Sequence, residues 1–218
     1  MNKKITLAMG SGGEESALLI SEFFYGAFEN EILLKGEDAA VICEGRLAFT
    51  TDSFTVTPRF FPGGDIGKLA VCGTCNDLAM MGAVPKYLSC SFMIEEGFCM
   101  EELEKIVDSM KKELAINGAL LVSGDTKVVP HGSLDGLFIN TTGIGEIRQK
   151  GISANAISVD DTIIVSRDIG AHGAAIFAAR EGIELHSALR SDAASLSPQV
   201  QALINAGVNI RAMRDATR

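Results

Sequence analysis

Apolar residues recur along the chain with two spacings, which predict helices and strands in mixed order. Helical spacing predicts one helix after Gly12-Gly13, with an apolar face toward the core, and another over 100–117 that ends at Asn117-Gly118. A third helix is predicted to begin at Asp65, which can cap it, and to run to about Ala83. Short apolar runs between turn residues predict strands at 39–43, 46–51, 86–94, 119–122, 136–141 and 162–166.

The order of these elements predicts an α+β fold with the helices on one face of the sheet. The first two strands are predicted to form a hairpin, and Pro62 followed by two glycines predicts a loop. After a charged turn near residue 150 the pattern begins again, with a strand and a helix that contains 174–180. We therefore predict two domains, 1–149 and 150–218, of which the second is too thin to close a core by itself.

Charge and composition narrow the classes of partner. The 218 residues carry 19 basic and 28 acidic side chains, a net charge of −9, so nucleic acid is not an expected partner. No apolar run reaches the roughly 20 residues of a membrane span, and no export signal follows Lys3-Lys4, so we expect no membrane partner and a cytoplasmic location. The spacing of Cys72 and Cys75 resembles a metal motif, but we expect small, buried, reduced residues on a helix.

Four aspartates stand at predicted strand ends or within the long helix, where their side chains could converge: Asp38, Asp52, Asp77 and Asp125. Each one alone suits a turn or a cap, whereas together they supply the hard oxygen ligands that Mg²⁺ prefers when it holds phosphates. Lys127 ends a predicted tight turn, Gly124–Lys127, and is either a phosphate-binding cation or a solvated surface group. The residues alone favour a magnesium-dependent nucleotide or phosphate enzyme.

Three weaker signals accompany these residues. The Gly10–Gly13 loop leads into a helix N-terminus, which suits an anion, but it lacks the Gly-Lys-Ser/Thr of a P-loop. Asn140–Gly145 is a polar strand end with two glycines, consistent with either a close backbone approach or a bulge. His172 precedes a helix and is expected to be a partnered cap or core residue.

Six segments carry a resemblance to a known family: 50–54, 60–83, 94–97, 124–129, 139–143 and 214–218. The most specific are the Phe-Phe-Pro-Gly-Gly run at 60–64 and the Gly-Asp-Thr-Lys run at 124–127. These segments resemble the HypE family of hydrogenase maturation proteins. That family belongs to one superfamily with aminoimidazole ribonucleotide (AIR) synthase and selenide water dikinase.

The resemblance implies a PurM-like fold and an ATP-dependent reaction. The N-terminal mixed sheet would pair with that of a second copy into a β-barrel homodimer, followed by an incomplete C-terminal α/β domain. The family dehydrates a carboxamide on its own C-terminal cysteine to a thiocyanate, the source of the cyanide ligands on the iron of [NiFe]-hydrogenase. ATP and Mg²⁺ would be the cofactors. The carbamoyltransferase HypF and the HypC–HypD complex would be the partners.

The resemblance also implies roles for individual residues. The metal ligands would be Asp38, Asp52, Asp77 and Asp215. The catalytic groups would be Asp77 and Lys127, with Lys127 facing the phosphates. The residues around the nucleotide would be Asp38, Asp52, Asn76, Asp125, Lys127, Asn140 and Thr141.

Two departures from the family pattern change what we expect of this chain. Ala171 stands where the family carries an aspartate, so its turn receives no role. The sequence ends at Arg218, before the family's remaining second domain and terminal cysteine, so we expect it not to complete the reaction alone. Two other hypotheses stay open: a non-catalytic dimeric module that docks maturation partners, and another ATP-using member such as selenide water dikinase, which the two specific segments disfavour.

Overall fold

The computed structural model describes residues 5–183 and 188–216, in which a mixed sheet carries helices on one face. The strands of the main sheet are β1 (Ala40–Ile42), β2 (Leu47–Phe54), β5 (Ala83–Glu95), β6 (Leu120–Val129) and β7 (Leu137–Ile147). A small separate hairpin comprises β3 (Phe60–Phe61) and β4 (Gly64–Asp65). The α-helices are α1 (Glu14–Leu18), α2 (Gly26–Phe28), α3 (Ile66–Met80), α4 (Met100–Asn117), α5 (Ala171–Arg180) and α6 (Ser197–Asn205). A π-helical stretch, Leu19–Tyr25, joins α1 to α2, and short 3-10 helices lie at Leu7–Gly10, Leu33–Lys35 and Ala154–Ala156.

The main sheet has the strand order β1-β2-β7-β5-β6. β1 and β2 form the predicted antiparallel hairpin, β7 pairs antiparallel with both of its neighbours, and β5 and β6 run parallel through the crossover helix α4. The prediction of an α+β fold with a mixed sheet is therefore confirmed. The order also separates β2 from β6 by two intervening strands, which matters for the site below.

Helix α3 lies at the centre of the core because its apolar positions pack against both the sheet and α4. Its start is set by Asp65, whose side chain accepts a hydrogen bond from the Lys68 backbone N–H at 3.0 Å, as predicted. The helix ends at Met80 rather than near Ala83. Gly82 adopts a left-handed φ of +71°, and Ala83 already begins β5.

Cys72 and Cys75 are buried on α3, as expected for small core residues. Burial raises the pKa of each thiol to about 12, so both are neutral and unreactive near neutral pH. Helix α4 occupies the predicted range and ends with Gly118 in a left-handed conformation.

The N-terminal helical segment forms, but the prediction that one face packs into the core is wrong. Leu18, Phe23 and Phe28 are 48%, 65% and 67% exposed, and Ser16 is the buried residue of α1. Helical spacing identifies which side chains share a face, whereas burial requires another element against that face. Among the described residues no element covers it.

Three further predictions differ from the structure. The predicted turn Gly124–Lys127 lies inside β6, where its backbone is paired with β5. The predicted loop at 60–64 contains the β3–β4 hairpin. The predicted strand 162–166 does not form, since within the described ranges it has no partner strand, and Ile163 and Ile164 are 91% and 83% exposed.

The residues after 150 pack against the first part of the chain through α6. Val200 of α6 is buried in a cluster with Ala79 and Met80. The predicted helix around 174–180 is present as α5, and the predicted boundary between residues 149 and 150 stays a prediction. Within residues 5–183 and 188–216, no helix is both long and apolar enough to cross a membrane.

Candidate functional site

Four of the predicted aspartates come together near β1, β2 and α3. Asp38 precedes β1, Asp52 lies on β2, Asp77 lies on α3, and Asp215 reaches them from the segment after α6. The charges of Asp52, Asp38 and Asp215 all act on Asp77. These four residues are termed the carboxylate cluster.

Asp77 is the most perturbed member of the carboxylate cluster. Burial raises the pKa of Asp77 to about 7, and repulsion from the other three carboxylates adds to this rise. A hydrogen bond partly opposes it. That bond comes from Thr50, whose Oγ1 lies 3.0 Å from Asp77 Oδ2 and 3.3 Å from the Asp38 carbonyl oxygen. Thr50 was not among the predicted site residues, although it lies two positions before Asp52 on β2 and therefore on the same face.

Asp215 shares this environment. Burial raises its pKa, a hydrogen bond with Asn76 opposes that rise, and the charges of Asp38, Asp192 and Asp52 add to it. Two carboxyl groups of the carboxylate cluster thus have a weakened tendency to ionise, for the same physical reasons. A bound cation would remove the repulsion that both of them experience.

Arg214 supplies a positive charge at the edge of the carboxylate cluster. Its guanidinium donates a hydrogen bond to the Asp38 carboxylate, and this bond raises the pKa of Arg214. The side chain of Asp38 is 12% exposed and that of Arg214 is 51% exposed, so the ion pair lies at the rim. Sequence reasoning identified the segment containing Arg214 but assigned it no role.

A glycine allows α3 to approach β2 closely at Asp52. A Cβ atom at Gly73 would lie 2.8 Å from the Phe54 ring and 3.5 Å from Asp52 Oδ2. The other carboxylate oxygen, Asp52 Oδ1, accepts a hydrogen bond from the Ser53 backbone N–H at 2.8 Å. Gly73 therefore helps to bring the carboxylates of β2 and α3 to one place.

The chemistry of the carboxylate cluster fits Mg²⁺. Carboxylate oxygens are the ligands this ion prefers, and a cluster of like charges is stabilised by a divalent cation. Within residues 5–183 and 188–216, no three Asp, Glu, His or Cys side chains stand close enough to ligate one ion together. The arrangement fits an ion held by one or two carboxylates, which keeps waters and shares phosphate oxygens.

Two predicted nucleotide neighbours, Asn76 and Thr141, are buried and hydrogen-bonded within the fold. The Asn76 amide donates to the Ala194 carbonyl at 3.0 Å and accepts from the Leu196 backbone N–H at 2.8 Å. Thr141 is fully buried, and its hydroxyl bonds Thr74 Oγ1 at 2.6 Å and the Ala70 carbonyl at 2.8 Å. The polar atoms of both buried side chains are therefore engaged in hydrogen bonds within the protein.

Asn140, Asp125 and Lys127 lie on the other face of the sheet. Thr141 points toward α3, so its neighbour Asn140 points away, and the strand register aligns Asn140 with Ser91 and Ser91 with Asp125. The Asp125 and Lys127 side chains are 58% and 66% exposed and pair at 2.9 Å, and this pairing lowers the pKa of Asp125. Asp125 therefore does not join the other predicted aspartates within one chain.

The remaining signals have local explanations. Gly13 caps the five-residue helix α1, and the Gly12 backbone N–H donates to Ser16 Oγ at 2.9 Å. His172 is partnered as expected, with its Nδ1 lying 2.9 Å from Ser191 Oγ. Asp192 accepts a hydrogen bond from the His172 backbone N–H at 2.9 Å, near the start of α5.

A sequence-family comparison supports this fold. The family described as AIR synthase related protein, N-terminal domain, matches residues 36–147. This range contains the whole main sheet together with α3 and α4. It also contains every predicted site residue except Asp215.

Curated relatives match nearly the whole chain. This chain is 47% identical to carbamoyl dehydratase HypE of Escherichia coli (strain K12), over 98% of the chain and 66% of that protein. It is 46% identical to carbamoyl dehydratase HypE of Rhizobium leguminosarum bv. viciae, over 100% of the chain and 63% of that protein. The chain thus spans slightly less than two thirds of the length of these relatives.

Solved structures give the same result. A HypE–HypF complex aligns with a TM-score of 0.87 at 48% identity, covering 92% of this chain and 66% of that one. HypE in complex with ATP aligns with a TM-score of 0.78 at 47% identity, covering 99% of this chain and 65% of that one. AaThiL, complexed with AMPPCP and TMP, shares the fold at 16% identity, with a TM-score of 0.70 and coverage of 93% and 65%. The chain therefore belongs to the AIR synthase related family and, within it, to the HypE group.

Proposed function

We propose that this chain belongs to a hydrogenase maturation protein that binds ATP with Mg²⁺ and uses it to dehydrate a carboxamide. The observation that carries the proposal is the carboxylate cluster around Asp77, with its raised pKa and like charges. Relatives named carbamoyl dehydratase HypE, one of the related structures being a complex with ATP, support the choice of reaction and nucleotide.

Each member of the carboxylate cluster has a role in this proposal. Asp38, Asp52, Asp77 and Asp215 would supply the ligands for Mg²⁺, one or two carboxylates to an ion, with Arg214 limiting the negative charge at Asp38. When bound, the ion would neutralise charge on the transferred phosphoryl group. Asp77 is proposed as a catalytic group because its charge state depends most strongly on what occupies the cluster. Asn76 and Thr141 would keep the strands and α3 in place beneath the nucleotide.

The proposed reaction takes place on the C-terminal cysteine of the whole protein. The carboxamide oxygen attacks the γ-phosphate of ATP, so that ADP leaves and an O-phosphorylated intermediate forms. The nitrogen then loses its two protons, the C–O bond breaks, phosphate leaves, and a thiocyanate remains as the source of the cyanide ligands. Cys72, Cys75 and Cys90 are buried with raised thiol pKa values, so they are unsuitable carriers.

A homodimer would bring the second group of predicted residues to the site. Lys127 and Asp125 lie on β6, three strand spacings from Asp52, or roughly 14 Å. They also project from the opposite sheet face. We propose that two copies pair through that face, so that Lys127, Asp125 and Asn140 of one copy serve the nucleotide of the other.

The outer sheet face has the composition of a contact surface. Its exposed apolar row runs across four strands in register, comprising Phe49, Ile144, Tyr87 and Leu120. HypF is proposed as a partner from the related HypE–HypF complex, and the HypC–HypD complex is proposed as another. The second domain, beginning near residue 150, is proposed to close over the nucleotide.

Binding of ATP with Mg²⁺, measured by isothermal titration calorimetry, tests the proposal. We expect the wild-type protein to bind and Asp77→Asn to bind at least about tenfold more weakly, because one ligand charge is lost. Asp108→Asn, on the exposed side of α4, removes an equal charge and should leave affinity unchanged.

The exposed apolar row also favours the alternative of a non-catalytic dimeric assembly module. In that case the wild-type protein would dimerise but would not bind ATP with Mg²⁺. Asp77→Asn would then give the same calorimetric result as the wild type. Phosphate release on addition of selenide would instead indicate a selenide water dikinase.

A further inference from the structure

A second buried polar group lies outside the carboxylate cluster, where α3, α4 and the stretch before α6 meet. It consists of Cys72, Glu113, Asn117 and Ser195, which are 2%, 8%, 6% and 7% exposed. We term these four residues the Ser195 clasp. No part of the function proposed above uses it.

Ser195 is the centre of the Ser195 clasp. Its hydroxyl donates to Glu113 Oε2 at 2.7 Å and accepts from Asn117 Nδ2, also at 2.7 Å. Cys72 Sγ donates to the same Glu113 oxygen at 3.4 Å. Among the described residues, no Lys, Arg or His lies within ion-pair distance of Glu113, so this buried carboxylate relies on hydrogen-bond donors.

The residues on either side of Ser195 are held from α3. Asn76 donates to the Ala194 carbonyl at 3.0 Å and accepts from the Leu196 backbone N–H at 2.8 Å. The same Asn76 side chain also interacts with the Asp215 carboxylate, and this interaction lowers the pKa of Asp215. The stretch 194–196 is therefore fixed both by the Ser195 clasp and by the residue that supports Asp215 next to Asp77.

We propose that Ser195 is a positioning residue for the carboxylate cluster: the Ser195 clasp fixes the stretch 194–196, and this stretch keeps Asn76 oriented to hold Asp215 beside Asp77. The inference rests on the proposed function, because it makes the affinity for ATP with Mg²⁺ depend on a hydroxyl outside the site. Ser195 lies in the second predicted domain, whereas three of the four members of the carboxylate cluster lie in the first.

Loss of the Ser195 hydroxyl would have more than a local effect. Glu113 would lose its closest donor, and Asn117 Nδ2 would keep only the Glu113 carbonyl oxygen at 2.8 Å. Asn117 Oδ1 is already buried and has no hydrogen-bond partner among the described residues, so loss of the bond to Ser195 would add a second poorly satisfied group on this side chain. Buried groups left unpaired favour water entry or movement of the backbone, and here that backbone is the stretch next to Asn76.

The first test compares Ser195→Ala with Ser197→Ala, a matched control whose residue begins α6, is 3% exposed and takes no part in the Ser195 clasp. We expect Ser195→Ala to bind ATP with Mg²⁺ about tenfold more weakly, the lower end of the effect of removing a partner of a metal ligand. Hydrogen exchange without ligand should rise in peptides from 188–216. Ser197→Ala should change neither quantity.

A double-mutant cycle separates positioning from general loss of structure. If Ser195 acts through Asp215, Ser195→Ala should weaken binding by less than about twofold when Asp215→Asn is already present. If Ser195→Ala acts only through a general loss of structure, it should weaken binding as much in the Asp215→Asn background as in the wild type. That result would overturn the proposal. Ser195→Thr keeps the hydroxyl and should restore most of the affinity.

The outcomes are distinguishable from failure of the proposed function. If the wild-type protein does not bind ATP with Mg²⁺, the proposed function fails. If the wild-type binds and Ser195→Ala binds equally well, this inference alone is overturned. Should Ser195→Ala fail to fold, Asn117→Leu removes the donor to Ser195 together with the bond to the Glu113 carbonyl oxygen, and a normal affinity in that variant would contradict the proposal.

Discussion

At the scale of single residues, Asp77 is the carboxyl group of the candidate site whose ionised form is most strongly disfavoured. It is held on α3 by helix packing, so it cannot move away from Asp38, Asp52 and Asp215. Its hydrogen bond from Thr50 only partly offsets this cost, and its pKa rises to about 7. A residue with this pKa is half ionised near neutral pH and becomes fully ionised when a cation binds beside it.

The raised pKa of Asp77 predicts that the ligand-free protein is more stable in mild acid. Because its pKa is about 7 when folded and 3.8 ordinarily, the folded state binds the extra proton between these values. Unfolding free energy should therefore fall as pH rises through that window, by on the order of 1–3 kcal/mol after allowing for partial exposure. Asp215 acts in the same direction.

Urea denaturation at several pH values between about 5 and 8 measures this dependence. Asp77→Asn should flatten it and should raise the stability of the ligand-free protein at the higher pH. Asp108→Asn is the matched control and should leave the slope as in the wild type. A slope in Asp77→Asn equal to that of the wild type would show that another group is responsible.

At the scale of elements, glycines set how closely α3 packs. Gly67 faces α4, where a Cβ atom would lie 2.4 Å from the Ile106 carbonyl oxygen and 2.9 Å from Met110 Cγ. Gly73 faces the Phe54 ring in the same way. The position of Asp77 and Asn76 relative to β2 therefore depends on small residues elsewhere on the same helix.

Gly67→Ala is expected to destabilise the protein by about 2–4 kcal/mol, because the added methyl group meets backbone of α4 that cannot move aside. Gly173→Ala on α5 is the control, since no atom of residues 5–183 and 188–216 lies within 4 Å of the added Cβ atom. It should be neutral or stabilise by roughly 0.5–1 kcal/mol through helix propensity. The midpoint of urea denaturation measures both, and equal midpoints would contradict this account of α3–α4 packing.

At the scale of the whole molecule, the sheet has two chemically different faces. One is covered by α3 and carries the carboxylate cluster. The other face carries the exposed apolar row that contains Tyr87 and Leu120, whose exposed fractions are 49% and 62%. A surface of this kind, running to the edge strand β6, favours association with another chain.

Charges placed on the outer face should therefore produce monomers. Tyr87→Lys is expected to shift the mass measured by light scattering after gel filtration from that of a dimer to that of a monomer, because a charge is costly to bury. Val107→Lys changes a residue of similar exposure, 45%, on α4 and should leave the mass unchanged. A monomeric wild-type protein would contradict the proposed homodimer.

The placement of Lys127 predicts that variants complement each other across a dimer. Lys127→Ala and Asp77→Asn homodimers should both bind ATP with Mg²⁺ weakly, because each site would lack one group. A mixed dimer would contain one complete site, so a mixture of the two variants should regain tight binding at reduced stoichiometry in calorimetry. No recovery in a confirmed mixed dimer would place Lys127 outside the partner's site.

The sequence by itself determined the elements whose signals are local. The cap at Asp65, the range of α4 and its end at Gly118 follow from side chains close to them in sequence. The family segments identified the group, and these segments together with the aspartates next to predicted strands identified the members of the carboxylate cluster. Local patterns were insufficient at 162–166, because a strand depends on a partner for its backbone hydrogen bonds.

Only the tertiary structure decided which predicted residues meet. Strand order placed Asp125 and Lys127 at the far edge from Asp52, and strand alternation placed Asn140 on the opposite face from Thr141. Likewise, the Ser195 clasp joins residues from three distant parts of the chain. Spacing along a sequence determines the face on which a side chain lies, but pairing and packing between distant segments determine what that face contacts.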